Sequence, residues 1–230
     1  MIMKKPWHIL DPVLYKNMKD RIGAAYPTLH FFERDGQVFL KGTYSVLYES
    51  QVLDRYKIEI ELQKDYPRSL PIVWEIGGRI PRVPDRHVSR LDGSLCTCLP
   101  DAQWLDDPEG VTLERFLDGP LRNYLLFNSS LERGEEWPHG EWDHGANGIL
   151  DHYAKYFGTK DLFVVLNYLD ALAKPQIKGH GECPCGSGKR LRHCHVDVLL
   201  KMHGRIPTPV LEFSMAQLKD AIEKQSCSRA

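Results

Sequence analysis

The sequence predicts an α+β fold, an antiparallel four-stranded meander flanked by helices. Tyr56-Lys57-Ile58-Glu59-Ile60-Glu61-Leu62 alternates apolar and polar side chains, the period-two mark of a strand with one wet face. Asp35-Gly36 is a two-residue hairpin signal. Helical periodicity precedes the extended runs and resumes only after them, so strands and helices are segregated rather than alternating.

The elements follow in order. A first helix opens at Asp11-Pro12, an acid that can cap free N–H groups followed by a proline already held at helical φ. Leu14, Met18 and Ile22 recur at a spacing of four and mark its buried face. From Phe31 the pattern turns extended, and Asp35-Gly36 leads into strands at 37–40, 42–48 and 56–62, with a fourth at 72–76. Phe39, Tyr56 and Trp74 fall at strand spacing and are expected in the core. Residues 77–100 carry Gly, Pro and charge with little periodicity, and an irregular stretch of that length is usually functional. Helices resume over 112–131, interrupted at Gly119-Pro120, then at 149–157 and 161–173. In the last, Leu162, Val165, Leu166 and Leu169 form an apolar stripe.

Composition bounds the function. At 230 residues with 42% hydrophobic side chains, the chain can build a core without disulfide staples. Thirty Lys/Arg against 31 Asp/Glu leave a net charge of -1, which argues against wholesale binding to nucleic acid or an anionic membrane. No apolar run approaches the ~20 residues that span a bilayer. The opening Met1-Ile2-Met3-Lys4-Lys5-Pro6-Trp7 lacks a signal peptide's apolar core, so a cytoplasmic protein is expected. Charge is unevenly shared. Residues 176–230 hold nine Lys/Arg and five Asp/Glu, a net of +4, so residues 1–175 carry -5. The shift falls at Lys174-Pro175, which predicts a main domain over 1–175 and a basic module over 176–230.

Five of the six cysteines fall in two tight groups, Cys96 with Cys98, and Cys183, Cys185 with Cys194; Cys227 stands apart. Grouping points to a reactive thiol and a metal site rather than a disulfide framework. The first pair sits in Asp92-Gly93-Ser94-Leu95-Cys96-Thr97-Cys98-Leu99-Pro100. An N-terminal helix, a meander, Tyr66-Pro67 with Pro71, His87, a Gly-Ser-Leu-Cys element and Trp104 occur in that order. Over about residues 10–135 this order resembles the ubiquitin-conjugating enzyme (UBC) fold. The resemblance implies a cysteine that accepts an acyl group as a thioester and passes it to an amine, with polar donors near the oxyanion. Counted from Gly93, Cys96 holds the nucleophile's position; judged by the following Leu, Cys98 does. The family's His-Pro-Asn reads His87-Val88-Ser89 here, so Ser89 stands where the oxyanion-polarising asparagine is expected. Arg86, His87 and Arg90 are near in sequence and are expected to favour the thiolate. His139 and His144, in the aromatic run from Trp137, are further candidates for proton transfer, and Asp106-Asp107 for positioning an incoming lysine.

Cys183-Pro184-Cys185-Gly186-Ser187-Gly188-Lys189-Arg190-Leu191-Arg192-His193-Cys194-His195 is the most specific local signal. It resembles the SEC-C motif, and the matching ligands are Cys183, Cys185, Cys194 and His195. Three thiolates and one imidazole suit tetrahedral Zn2+ in a closed, structural site. Gly188-Lys189 is followed by Arg190, which is not a phosphate-cradling loop, so ATP chemistry by this chain is not expected.

With its altered His-Pro-Asn and its extra helices, the UBC-like region resembles the conjugating enzymes of cyclic-oligonucleotide-based antiphage signalling systems (CBASS), which implies an acyl carrier. Its implied partner is a cGAS-like nucleotidyltransferase or a ubiquitin-like protein, joined through a C-terminal carboxyl, with or without a separate activating enzyme. The alternatives are a non-catalytic UBC-fold binding module or a zinc adaptor.

Overall fold

The computed structural model describes residues 5–107, 109–135 and 145–227; the expected roles of His139 and His144 lie outside the described residues. In chain order the helices and strands are α1 (Trp7–Leu10), α2 (Pro12–Ala25), β1 (Leu29–Arg34), β2 (Gln37–Tyr48), β3 (Gln51–Leu62) and β4 (Ile72–Glu75). After a long irregular segment come α3 (Pro100–Asp106), α4 (Leu113–Phe116), a π-turn (Leu117–Leu121), α5 (Arg122–Glu132), α6 (Ala146–Phe157), α7 (Leu162–Ala173), α8 (Val196–Met202) and α9 (Thr208–Cys227). They form two compact units. One draws its described residues from Met1–Cys98 and Glu109–Gly140, the other from Leu99–Pro108 and Glu141–Ala230. No helix among the described residues is long and apolar enough to cross a membrane.

The first unit is the α+β body. Its strands pair antiparallel in the order β1-β2-β3-β4. The alternation read in β3 is real: Tyr56, Ile58, Ile60 and Leu62 are buried, while Glu59 faces out and holds Arg34 and Lys41, each at 3.0 Å. The buried face packs with Met18 and Ile22 of α2, Leu113 and Phe116 of α4, Leu121, and Tyr124 and Leu125 of α5. Each such aliphatic side chain contributes about 1.5–3 kcal/mol by leaving water. Asp11 caps α2 as expected, its carboxylate accepting the Leu14 N–H at 2.8 Å. Tyr56 donates to Ser129 Oγ at 2.9 Å, and the Ser129 hydroxyl donates to the Asp54 carboxylate at 2.9 Å, which ties β3 to α5.

In the elements of the first unit the structure differs from the sequence reading in three places. Gly42 does not divide two strands: β2 runs unbroken from Gln37 to Tyr48, and a Cβ at Gly42 would sit 1.9 Å from the Thr28 carbonyl oxygen. The glycine permits a close backbone approach rather than marking a break. The β2–β3 turn comes at Glu49 and Ser50, both at positive φ (48° and 66°), where no glycine signalled it. At Gly119-Pro120 the helix widens to a π-turn, which accommodates the missing proline N–H and lets the chain continue into α5.

The second unit is helical. Val165, Leu169 and Leu172 of α7 share a core with Ile149 and Tyr153 of α6, Leu199 and Met202 of α8, and Leu211 and Leu218 of α9. The composition shift at Lys174-Pro175 therefore lies inside this unit, whereas a boundary between domains was expected there. The shift marks where the chain exchanges apolar side chains for metal-ligand residues, and the stripe on α7 still needs partners from beyond it. At the centre Asp101 is fully buried, accepting from Tyr153 Oη at 2.6 Å and from Ser214 Oγ at 2.7 Å. One carboxyl thus joins α3, α6 and α9, and its burial raises its pKa despite both donors.

Gly42→Ala should destabilise the first unit by about 2–4 kcal/mol, because the added methyl meets backbone that cannot turn aside. Urea unfolding followed by tryptophan fluorescence checks this; an unchanged midpoint would mean that β2 yields freely at that point.

Candidate functional site

Residues 87–96 form a miniature hairpin attached to β4. Leu95 N–H donates to the Val73 carbonyl at 2.7 Å, Cys96 N–H to His87 O at 2.8 Å, and Ser89 N–H to Ser94 O at 2.8 Å. Trp74 Nε1 adds a bond to Asp92 O at 3.2 Å. Val88 and Leu95 are buried and plug the hairpin into the core of the first unit, while Leu91 at its tip is 99% exposed. Extended backbone alternates its side chains. With Leu95 and Thr97 inward, Cys96 is turned outward and is exposed.

Cys98 differs. It is only partly exposed, and burial pushes its thiol up to about 12, against a smaller opposing effect of its hydrogen bond with Thr97. Of the two candidate nucleophiles, Cys96 alone presents an accessible sulfur. Its thiol is itself raised, first by partial desolvation and then by the negative charge of Asp92. The arginines expected to favour the thiolate do not do so. Arg86 turns its guanidinium to the Asn128 carbonyl at 3.4 Å, and the electrostatic neighbour that counts is acidic. Sequence distance says nothing about which way a side chain points.

His87 sits at φ +53°, which brings its carbonyl to the Cys96 N–H, and its ring stands edge-on to Phe127 at 5.8 Å. Its place is thus beside the thiol's backbone. The Asp92 carboxylate accepts from Ser94 N at 3.1 Å and Ser94 Oγ at 2.8 Å. The Ser89 side chain first, and then these bonds, hold Asp92 below the usual carboxylate range. Asp92 lay in the motif read from sequence without a role; only its geometry reveals one. Trp104, matched to the family's tryptophan, packs on α3 in the core of the second unit. Asp106 and Asp107 end the same helix, Asp107 as its C-cap.

The second cluster is in the other unit. Cys183, Cys185, Cys194 and His195 bring one ligand atom each to within 4.8 Å of one another, a set that could hold a metal ion. A tight loop presents the first two, closed by Cys183 N–H to Lys189 O at 2.8 Å and by the Glu182–Arg190 bridge, with Gly186 and Gly188 both at positive φ. Leu191 anchors the following turn in the core, and Cys194 and His195 then lead into α8. The contacts Cys183 Sγ–His195 Nδ1 (3.3 Å), Cys194 Sγ–His195 Nδ1 (3.2 Å) and Cys185 Sγ–Cys194 Sγ (3.6 Å) approach tetrahedron edges. For bonds of about 2.0–2.3 Å those edges are roughly 3.6–3.8 Å. These four donors could hold a metal ion. Tyr168, which sequence reading passed over, stands edge-on to His195 at 5.6 Å; its fully buried place on α7, three residues after Val165, was the available signal.

Asp92→Asn should lower the Cys96 pKa and speed its alkylation by iodoacetamide at pH 7.5 by about two- to fivefold. In both proteins the rate should climb with pH, and peptide mapping should find Cys96 modified well before Cys98. Preferential modification of Cys98 would reverse the assignment of the accessible thiol.

No protein-family model, curated protein or solved structure matches the chain.

Proposed function

We propose that this protein is a UBC-like acyl carrier, with Cys96 as the nucleophile, acting in cytoplasmic antiphage defence of the CBASS type. What supports it most is the exposed Cys96 thiol, held on a hairpin that backbone hydrogen bonds attach to the sheet, beside a neighbour whose thiol is withdrawn. The substrate is the C-terminal carboxyl of a cGAS-like nucleotidyltransferase or a ubiquitin-like protein, delivered already activated by a separate enzyme. The Cys96 sulfur bonds the acyl carbon, the activating group leaves with its electron pair, and the thiol proton passes to solvent. An amine then attacks the thioester, forming the amide and releasing the thiol. Because Cys96 is raised above the ordinary thiol value, loading should accelerate toward alkaline pH.

We assign the four-ligand cluster to structural Zn2+. The ion would clamp a loop that has few apolar side chains of its own and would contribute much of its folding free energy. A reducing compartment suits both this site and a free nucleophile.

A second reading, a non-catalytic UBC-fold binding module, has one observation in its favour: Arg86 is turned to Asn128 rather than to the thiol. Incubation with a C-terminal-glycine nucleotidyltransferase, its activating enzyme and ATP separates the two. The acyl-carrier reading expects a reductant-labile adduct on non-reducing gels, retained in Cys98→Ala and reduced at least about 100-fold in Cys96→Ala. An adduct that survives Cys96→Ala removes that thiol from the mechanism, and association with no adduct favours the binding module.

For the metal, Cys185→Ser should reduce bound zinc and destabilise the second unit by several kcal/mol. Elemental analysis and calorimetry with and without chelator check this; a full zinc complement in the variant would put the ion elsewhere.

A further inference from the structure

Tyr168 is a fully buried tyrosine on α7, and its hydroxyl makes no hydrogen bond of normal geometry. A phenol O–H sealed from water and left unpaired costs about 1–3 kcal/mol, so an orphan in this position asks for an acceptor. The groups that act on it electrostatically are the sulfurs of Cys183, Cys185 and Cys194, Cys183 most of all. A neutral thiol is a weak acceptor, whereas a thiolate accepts a charge-assisted bond. Metal ligation is what turns a cysteine into a thiolate at neutral pH.

The ring is held so that the hydroxyl has little freedom to turn elsewhere. It stacks on Phe157 of α6 at 3.9 Å and 7°, and Phe157 stacks on Tyr153 at 5.7 Å and 3°. Tyr153 in turn donates to the buried Asp101 at 2.6 Å. On its other side the Tyr168 ring meets His195 edge-on at 5.6 Å. A chain of ring contacts thus runs from His195, one of the four ligands, to Tyr153 and the buried Asp101.

We infer that Tyr168 is the positioning residue of the metal site: it donates a hydrogen bond to the Cys183 thiolate of the metal complex and thereby couples metal binding to the stability of the helices around it. Resting on the assignment of the cluster to zinc, it owes nothing to the chemistry of Cys96. It has an unusual sign. Deleting the hydroxyl removes an orphan from the apo protein but a made bond from the holo protein.

The full chain serves as the test, as wild type, Tyr168→Phe and Tyr153→Phe. Zinc affinity is read by competition with a chromophoric chelator, melting temperature with and without zinc, and the sulfur-to-cobalt charge-transfer band after Co2+ substitution. Tyr168→Phe should bind zinc about 10–100-fold more weakly. Its apo melting temperature should equal or exceed that of wild type, its gain on adding zinc should shrink, and its charge-transfer band should move to the red as the thiolate loses its donor. Tyr153→Phe should lower stability equally in both states and leave zinc affinity within about twofold. A Tyr168→Phe protein with wild-type zinc affinity and an unmoved cobalt band overturns the proposal, as does one that loses equal stability with and without zinc. Failure of the wild type to take up either metal overturns the zinc assignment itself, and this proposal with it.

Discussion

The hydrogen bond from Leu95 N–H to the Val73 carbonyl carries the chemistry of the first unit. It extends the pleat of β4 by one more chain, so the phase of that pleat decides which side chains in the irregular segment meet water. Leu95 goes in and Cys96 comes out. A slip of one residue would bury Cys96 and expose Leu95. The neighbouring bonds, from Cys96 to His87 and from Ser89 to Ser94, hold that phase along the hairpin and require the positive φ at His87. Strain at a residue beside a reactive group costs on the order of 1–3 kcal/mol and persists where the surroundings over-determine it.

The electrostatics of the thiol follow from the same hairpin. Its turn brings Asp92 back toward Cys96, with Ser94 bonded to the carboxylate, so the charge that acts on the thiol is negative. An acidic neighbour is poor at generating a resting thiolate. It is compatible with a nucleophile that stays protonated until an activated acyl group arrives, and it would attract a cationic amine acceptor.

The second unit solves a different problem. Its loop over 181–195 has little apolar surface, and Leu191 and Cys183 are the side chains it contributes fully to the core. A cluster of four ligands can supply the missing cohesion, while Asp101, shared by α3, α6 and α9, makes the helices around it interdependent. A buried carboxyl with both oxygens satisfied fixes geometry more than it adds stability.

Much of this was legible in the residues themselves. The alternation of β3, the Asp11-Pro12 start, the hairpin at Asp35-Gly36 and the close spacing of Cys183, Cys185, Cys194 and His195 are local patterns, and local sterics and ligand chemistry act over a few residues. Other outcomes depended on groups far apart in sequence. The runs 37–40 and 42–48 join into one strand, and the reason for Gly42 within it, the Thr28 carbonyl, lies across a strand pair. The choice of Cys96 over Cys98 hung on the phase set by Val73, and Arg86 was lost to the thiol because Asn128 claims it. Tyr168 carried no motif at all. The linear order of residues thus determined which elements form and which side chains can bind a metal or attack an acyl carbon. Only the tertiary structure decided which of them face solvent, which face one another and which are satisfied, since burial and hydrogen bonding are properties of neighbours that the folded chain brings together.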